Sequence, residues 1–356
     1  MVIIRCALVL FFPLAFLTEF FIGALKYGFH PLNLMGRVAV YFEKLFYFIS
    51  DGIVSGIFFN IFTVLAITTV FAAISSAAIH ISPAVFYALF VYILSSFLSA
   101  GGLRHESIKI YRLLKTGDIE SARKNLSSLA GRDSVELGPS EISRAVIESV
   151  AENTGDGIGS VFFYSALGLI IGFFAGFLNK PHQMQSAVIS CCAFAVIYKT
   201  VNLLDSLVGY RNVKYEKFGK FSARIDDALN YIPFRITACF MFLSVFILDL
   251  TENSGGDINH NYYHAGGAFK SWCKFRKNHP SPNGGQLESI MAGALNIKLG
   301  GINYYAGVKS ERPVIGFQDY GRANEENIIN AVRIMELASA LICIFCALIF
   351  AALVFF

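Results

Sequence analysis

The chain has 356 residues, 55% hydrophobic and only 15% charged, with 35 Phe and a mean hydropathy of +0.57. A soluble domain carries roughly a quarter charged residues, so this composition excludes an ordinary soluble enzyme and indicates a polytopic membrane protein. The net charge of +4 is too small for a nucleic-acid binder, which shows a concentrated basic face. A helix crosses the hydrocarbon core with about 20 apolar residues. In chain order that rule selects 1–25, 53–79, 81–100, 158–178, 187–204, 232–250 and 337–356. The first is no cleavable signal: Arg5 precedes an apolar run, but no small-residue cleavage site follows. "HISP" at 80–83 and "NKPHQ" at 179–183 are tight breaks between spans. The expected fold is an all-α polytopic membrane protein with five to seven membrane-embedded helices, in one integral membrane domain over 1–356.

Three polar segments stand out: 101–157, 205–231 and 251–333. The first carries Arg104, Lys109, Arg112, Lys115, Arg123, Lys124, Arg132 and Arg144; the second carries Arg211, Lys214, Lys217, Lys220 and Arg224. Simple alternation puts both on one side, and the positive-inside rule makes that side cytoplasmic. If 232–250 crosses, the long segment 251–333 falls on the other side. The seven cysteines form no disulfide framework, and "CIFC" at 343–346 lies mid-span, where packing explains it better than metal or redox chemistry.

Within 101–157, apolar residues at helical spacing (Ile108, Leu113, Leu114; then Ile119, Ala122, Leu126, Leu129) predict two helices. "TGD" at 116–118 stops the first, and Asp118 caps the second. "GRDS" at 131–134 is a further stop, and Ser140 is the expected N-cap of a third helix, with Glu141 at its positive dipole end. There Arg144, Glu148 and Glu152 recur every four residues and share one face. "NTGDG" at 153–157 reads as the break before the next span. An Arg144–Glu148 surface pair and a glycine cap account for these residues blandly. Glu152, Asn153 and Asp156 around a glycine-flanked turn equally suit Mg²⁺, which takes oxygen ligands, with Gly155 and Gly157 letting backbone approach a phosphate.

Asn202, Asp205 and Ser206 fall on one side of a span's end, where polar residues mark either a site or an interhelical hydrogen bond. "SARIDDALN" adds Arg224, Asp226 and Asp227; Arg224 and Asp227 could simply pair on a solvated helix. In "NHPSPNGGQLES" two prolines fix a turn, Asn283 and two glycines follow, and Glu288 opens a short helix. Gly300–Gly301 and "NYYAG" form another glycine-rich turn.

"ESVAENTGDG", "NLLDSLVGYRNVKYEKFGKFSARIDDALNYIPFR" and "HPSPNGGQLESIMAGALNIKLGG" resemble the signature blocks of the adenosylcobinamide-phosphate synthase (CbiB/CobD) family of cobalamin biosynthesis. "HPLNLMGRVAVYFEKL" at 30–45 and "LKTGDIESARKNLSSLAGRDS" resemble two further blocks, in family order, from about 19 to 333. The resemblance implies a multi-pass enzyme of the cytoplasmic (inner) membrane with its site on the cytoplasmic side. It would join adenosylcobyric acid to (R)-1-amino-2-propanol phosphate, or a related amino-alcohol phosphate, using ATP as co-substrate and Mg²⁺. The implied partners are these substrates, the lipid bilayer and other membrane enzymes of the corrinoid pathway, with no nucleic acid.

On that resemblance Glu148, Glu152, Asp205 and Asp227 are the catalytic candidates. Glu152, Asp156 and Asp226 are the metal candidates. Arg132, Asn153, Asn202, Ser206, Arg224, Ser281, Asn283, Glu288, Gly300 and Gly301 would bind substrate or nucleotide. Because ATP is cytoplasmic, 251–333 should share the side of the other blocks, so 232–250 is expected to be re-entrant or membrane-buried, with Asn259 on the cytoplasmic side. The chain departs from the family pattern in places. "IGAL" at 22–25 replaces Leu-Gly-Asp-Pro, leaving Ala24 where an Asp is usual. Gln286–Leu287 replaces Trp-Pro, and "GGL" at 101–103 replaces Arg-Ser-Leu. The competing class is a non-catalytic membrane sensor or a transporter. A transporter usually shows internal repeats, and none is evident; a degenerate relative should have lost acids that this chain keeps.

Overall fold

The computed structural model describes residues 9–23, 30–80, 82–130, 134–176, 182–210, 213–252, 262–305 and 308–355. The helices in chain order are α1 (Phe11–Ile22), α2 (Pro31–Ile49), α3 (Ile53–Ile79), α4 (Pro83–Ser95), α5 (Ala100–Lys115), α6 (Ile119–Ala130) and α7 (Pro139–Thr154). A π-helical turn at Gly155–Gly159 leads into α8 (Ser160–Ala175), followed by α9 (Gln183–Val208), α10 (Lys220–Glu252), α11 (Ala265–Phe275), α12 (Gly284–Ala294) and α13 (Glu325–Phe355). Between α12 and α13, β1 (Leu299–Tyr305) and β2 (Val308–Ile315) pair as an antiparallel hairpin. Among the described residues, five helices are long and apolar enough to cross a membrane: α3, the continuous run Pro139–Ala175, α9, α10 and α13. The pair α4 and α5, bent by 41°, makes a sixth if counted as one span. The protein is thus an all-α polytopic membrane protein with one small β appendage.

Two compact units divide the chain: Met1–Ser99, Ser160–Asn230 and Cys343–Phe356 form the first, Ala100–Gly159 and Tyr231–Ile342 the second. In the first, α8 and α9 approach closely because small residues face each other. A side chain at Gly172 would meet Ser190, Ser186 and Ala187, and one at Gly168 would meet Ser190 and Phe194. Beside them Ala39, Phe59, Leu204, Val208 and Phe218 form a buried apolar cluster. Phe12 stacks edge-on against Phe350, and Pro83 sits in the first turn of α4 behind its N-cap Ser82.

In the second unit the local signals hold for α5 and α6. Gly117 adopts φ +77°, and Asp118 Oδ1 accepts from the Ser121 amide at 3.1 Å. The start of α7 differs from expectation: the N-cap is Gly138, not Ser140. Pro139 occupies the first turn, and Glu141 reaches back to the Gly138 amide at 2.9 Å. "NTGDG" does not break the helix. Gly155 and Gly159 make room for Phe234 and Thr237 of α10, so their missing side chains serve close packing while the helix passes through one π turn. Residues 232–250 do not reverse either. They lie inside the unbroken 33-residue α10, with Pro233 in its interior, so the expected re-entrant element is absent. Asn259 lies outside the described residues. Helix α12 opens at Gly284, four residues before Glu288, and every one of its residues is buried. The expected glycine turn at 300–301 instead begins β1, where both glycines take positive φ beside a register shift.

Candidate functional site

The sequence candidates fall into two polar assemblies, one in each unit. In the second unit α7 presents Arg144, Glu148 and Glu152 on one face, as their spacing requires. Glu148 is fully buried and accepts through Oε1 from Arg144 Nη1 at 3.0 Å and from the Gly300 amide at 2.7 Å. Arg144 also donates to the Gly300 carbonyl, to the Ile302 carbonyl at 2.9 Å and to Asn303 Oδ1 at 3.1 Å. The pair is therefore no surface ornament: it clamps the base of the β hairpin to α7. Gly300 enters the site through its backbone, while Gly301, also at positive φ at the start of β1, is half-buried.

His279 stands where the proline-rich turn meets α12 and β2. Its Nε2 lies 3.2 Å from Arg312 Nη1 and 3.5 Å from Glu288 Oε1, and Glu288 is 1% exposed. Nδ1 of His279 lies 3.2 Å from the Ser281 carbonyl and 3.1 Å from the Ser281 amide, so the turn offers this nitrogen both an acceptor and a donor. Burial holds this imidazole below its ordinary pKa of 6.5, and Arg312 pushes the same way against the opposing charges of Glu152 and Glu148. Glu152 is half-buried and close enough to His279 to act on its charge. Asn283 is buried at the N-cap of α12, where Ser281 Oγ accepts from its amide at 3.2 Å. Asn153 turns back onto the Ser149 carbonyl at 2.9 Å, and Asp156 is half-buried in the π turn. Arg132 lies outside the described residues.

The first unit holds the other assembly. Lys199 Nζ donates to Asn202 Oδ1 at 2.8 Å, and Asn202 Nδ2 donates to Asp226 Oδ1 at 3.3 Å. Asn230 Nδ2 donates to Asp226 Oδ2 at 2.9 Å, while its own Oδ1 accepts from Ser160 at 2.7 Å and Tyr198 at 3.0 Å. Two amides thus take both oxygens of a buried carboxylate. Asp205 and Asp227 are half-buried, Arg224 is exposed, and exposed Ser206 bonds to the Asn202 carbonyl at 3.0 Å. In the same unit Glu43, 7% exposed, accepts from Lys214 Nζ at 3.0 Å and Tyr215 hydroxyl at 2.9 Å. The Lys214 ammonium sits 5.2 Å from the Tyr47 ring centroid, and its bond to the Tyr215 hydroxyl, then Glu43, raises its pKa.

His279, Arg312, Lys199, Asn230 and Glu43 were not among the sequence candidates. The signal for His279 was a rare histidine inside a proline-fixed turn; the others become legible only once partners distant in sequence are known. Some block residues turn out to be architectural. His30 caps α2, accepting from the Leu32 amide at 3.3 Å, and Arg123 donates to the Leu137 carbonyl at 3.0 Å.

Among the described residues no three His, Cys, Asp or Glu side chains converge at metal-ligating spacing. Mg²⁺ commonly binds through one or two carboxylates plus substrate phosphates, so the half-buried Glu152 and Asp156 fit such an ion. Asp226, with both oxygens already hydrogen-bonded, suits that role less well.

The family profile described as CobD/Cbib protein matches residues 12–335. The chain is similar to the cobalamin biosynthesis protein CobD of Clostridium perfringens, with 35% identity over 92% of this chain and 96% of that protein. It is likewise similar to the CobD of Pelobacter propionicus (35%, 85% and 83%) and that of Listeria monocytogenes (31%, 94% and 96%). No solved structure matches.

Proposed function

Since this chain belongs to the CobD/CbiB family of cobalamin biosynthesis proteins, we propose that it is the ATP-dependent ligase that joins adenosylcobyric acid to an amino-alcohol phosphate, giving adenosylcobinamide phosphate. A carboxylate is a poor acyl donor. Attack of its oxygen on the γ-phosphorus of ATP releases ADP and leaves an acyl phosphate. The substrate amine then attacks the acyl carbon, inorganic phosphate departs, and the amine loses a proton. Every reactant carries negative charge near the reacting atoms, so catalysis rests on neutralising and positioning phosphates and accepting one proton.

The observation that most supports this reading is the assembly of Arg144, Glu148, His279, Glu288 and Arg312 from α7, the proline-rich turn with α12, and β2. Burying such a set is costly unless it is internally paired and serves a charged ligand. In this reading Arg312 neutralises phosphate, neutral His279 or Glu152 receives the amine proton, and Glu152 and Asp156 hold Mg²⁺ against the phosphates. When bound, the ion draws charge from the transferring phosphoryl group. Glu148 is assigned to positioning the hairpin. The site is placed at the cytoplasmic side of the inner membrane, because ATP is there.

The test supplies the purified protein in detergent with adenosylcobyric acid, aminopropanol phosphate and Mg-ATP, and follows product by mass. Product is expected from the native chain. E152A and D205A are expected to eliminate it while eluting as folded protein on size exclusion. Full activity of both variants would remove the acid assignments, and a folded native chain that forms no product with any amino-alcohol phosphate would overturn the ligase reading.

A further inference from the structure

Helix α11 is folded back along the end of α10. Asp249 Oδ2 accepts from the Ala265 amide at 2.9 Å, and the rings of Phe242 and Trp272 meet edge-on at 5.6 Å. Phe242 lies seven residues before Asp249 (249 − 242), and Trp272 lies seven after Ala265 (272 − 265). Equal helical steps from a shared contact mean that the two helices run antiparallel, side by side. Their outer surfaces have opposite characters. The second half of α10 exposes Ile232, Ile236, Leu243, Phe246 and Leu250 along one stripe. Helix α11 exposes Lys270 and Lys274, with exposed Lys277 in the turn just after its end, beside exposed Phe269, while Arg276 stacks 4.3 Å over the Trp272 ring.

If 232–250 crossed the hydrocarbon core, it would carry this lysine stripe in with it. Three exposed ammonium groups along its flank make that crossing costly. A further neighbour of this half-helix is the π turn, where Phe234 and Thr237 pack under Gly155 and Gly159 next to Asp156, another charge that crossing would bury. We infer that the second half of α10, although apolar enough to span, lies with α11 along the bilayer surface. Its apolar stripe rests on acyl chains and the lysines of α11 engage anionic headgroups. Trp272 and Phe269 sit at the boundary, the depth aromatic rings favour. The chain then stays on one side from the loop before α10 through α11.

The chain has a single tryptophan, so Trp272 reports its own depth. The native protein is reconstituted in phosphatidylglycerol-containing vesicles brominated either near the headgroup end of the acyl chain or near its terminus. Shallow bromines are expected to quench Trp272 fluorescence at least twofold more than deep ones. Stronger quenching by deep bromines would show a crossing, and no quenching by either would show a water-exposed helix; each overturns the inference. A second readout compares labelling of Cys273 with that of K217C in oriented vesicles by a membrane-impermeant maleimide, each as the sole reactive cysteine. Labelling from the same face is expected, and labelling from opposite faces overturns the surface placement.

Discussion

At the scale of single residues, the two assemblies obey different economies of charge. Glu148 and Arg144 are a buried pair whose remaining hydrogen-bonding groups are met by the β hairpin. Such pairs add little net stability, yet removing one partner strands the other. Arg144→Met is therefore expected to cost about 3 kcal/mol, read by chemical denaturation in detergent. Arg144→Met combined with Glu148→Leu should cost clearly less than the single change, since neither charge is left alone. His279 carries a pH signature. Its pKa is lowered in the folded state, so between that value and 6.5 the unfolded chain binds more protons than the folded one. Stability then rises with pH through this window, is complete above the unfolded value, and is lost on acidification. The thermal midpoint measured from pH 5 to 7.5 should climb in the native protein, and the climb should flatten in His279→Gln.

Elements were legible where their signals are local. Gly117 and Asp118 both occupy helix-boundary positions that residue type alone identifies, and α3 runs over the same 53–79 stretch that hydropathy marks. What failed is the reading of glycine. At 153–157 two glycines look like a stop, yet packing against Phe234 keeps the chain helical; at 300–301 they look like a free turn, yet they begin a strand clamped by Arg144. In each case a partner far along the chain decides the outcome, and no local propensity encodes it. Gly155→Val should accordingly destabilise the protein by about 1–3 kcal/mol through overpacking, and Phe234→Ala in the same chain should recover part of the loss, read by thermal unfolding. Equal destabilisation with and without Phe234 would instead assign the cost to the π turn's own backbone.

For the whole molecule, the sequence blocks named the family, but the composition of the site was only half visible. Glu148, Glu152 and Glu288 stand out as acids among apolar residues. Arg312 does not, because its significance lies in meeting His279 across 33 positions, and Arg144 reads as an ordinary surface cation until Gly300 arrives from 156 positions away. Positively charged groups placed among carboxylates fit a reaction whose charge lies on phosphorus oxygens, so the decisive question is where the substrate carboxylate oxygen goes. An acyl phosphate sends one of those oxygens into inorganic phosphate, whereas an acyl adenylate sends it into AMP. With adenosylcobyric acid labelled with ¹⁸O in its reacting carboxylate, turnover should place one label in inorganic phosphate per amide formed and none in AMP. Label recovered in AMP would keep the ligase and discard γ-phosphoryl transfer. Label lost to water during amide formation, with none in phosphate or AMP, would show that no ATP-derived group was ever attached to the carboxylate.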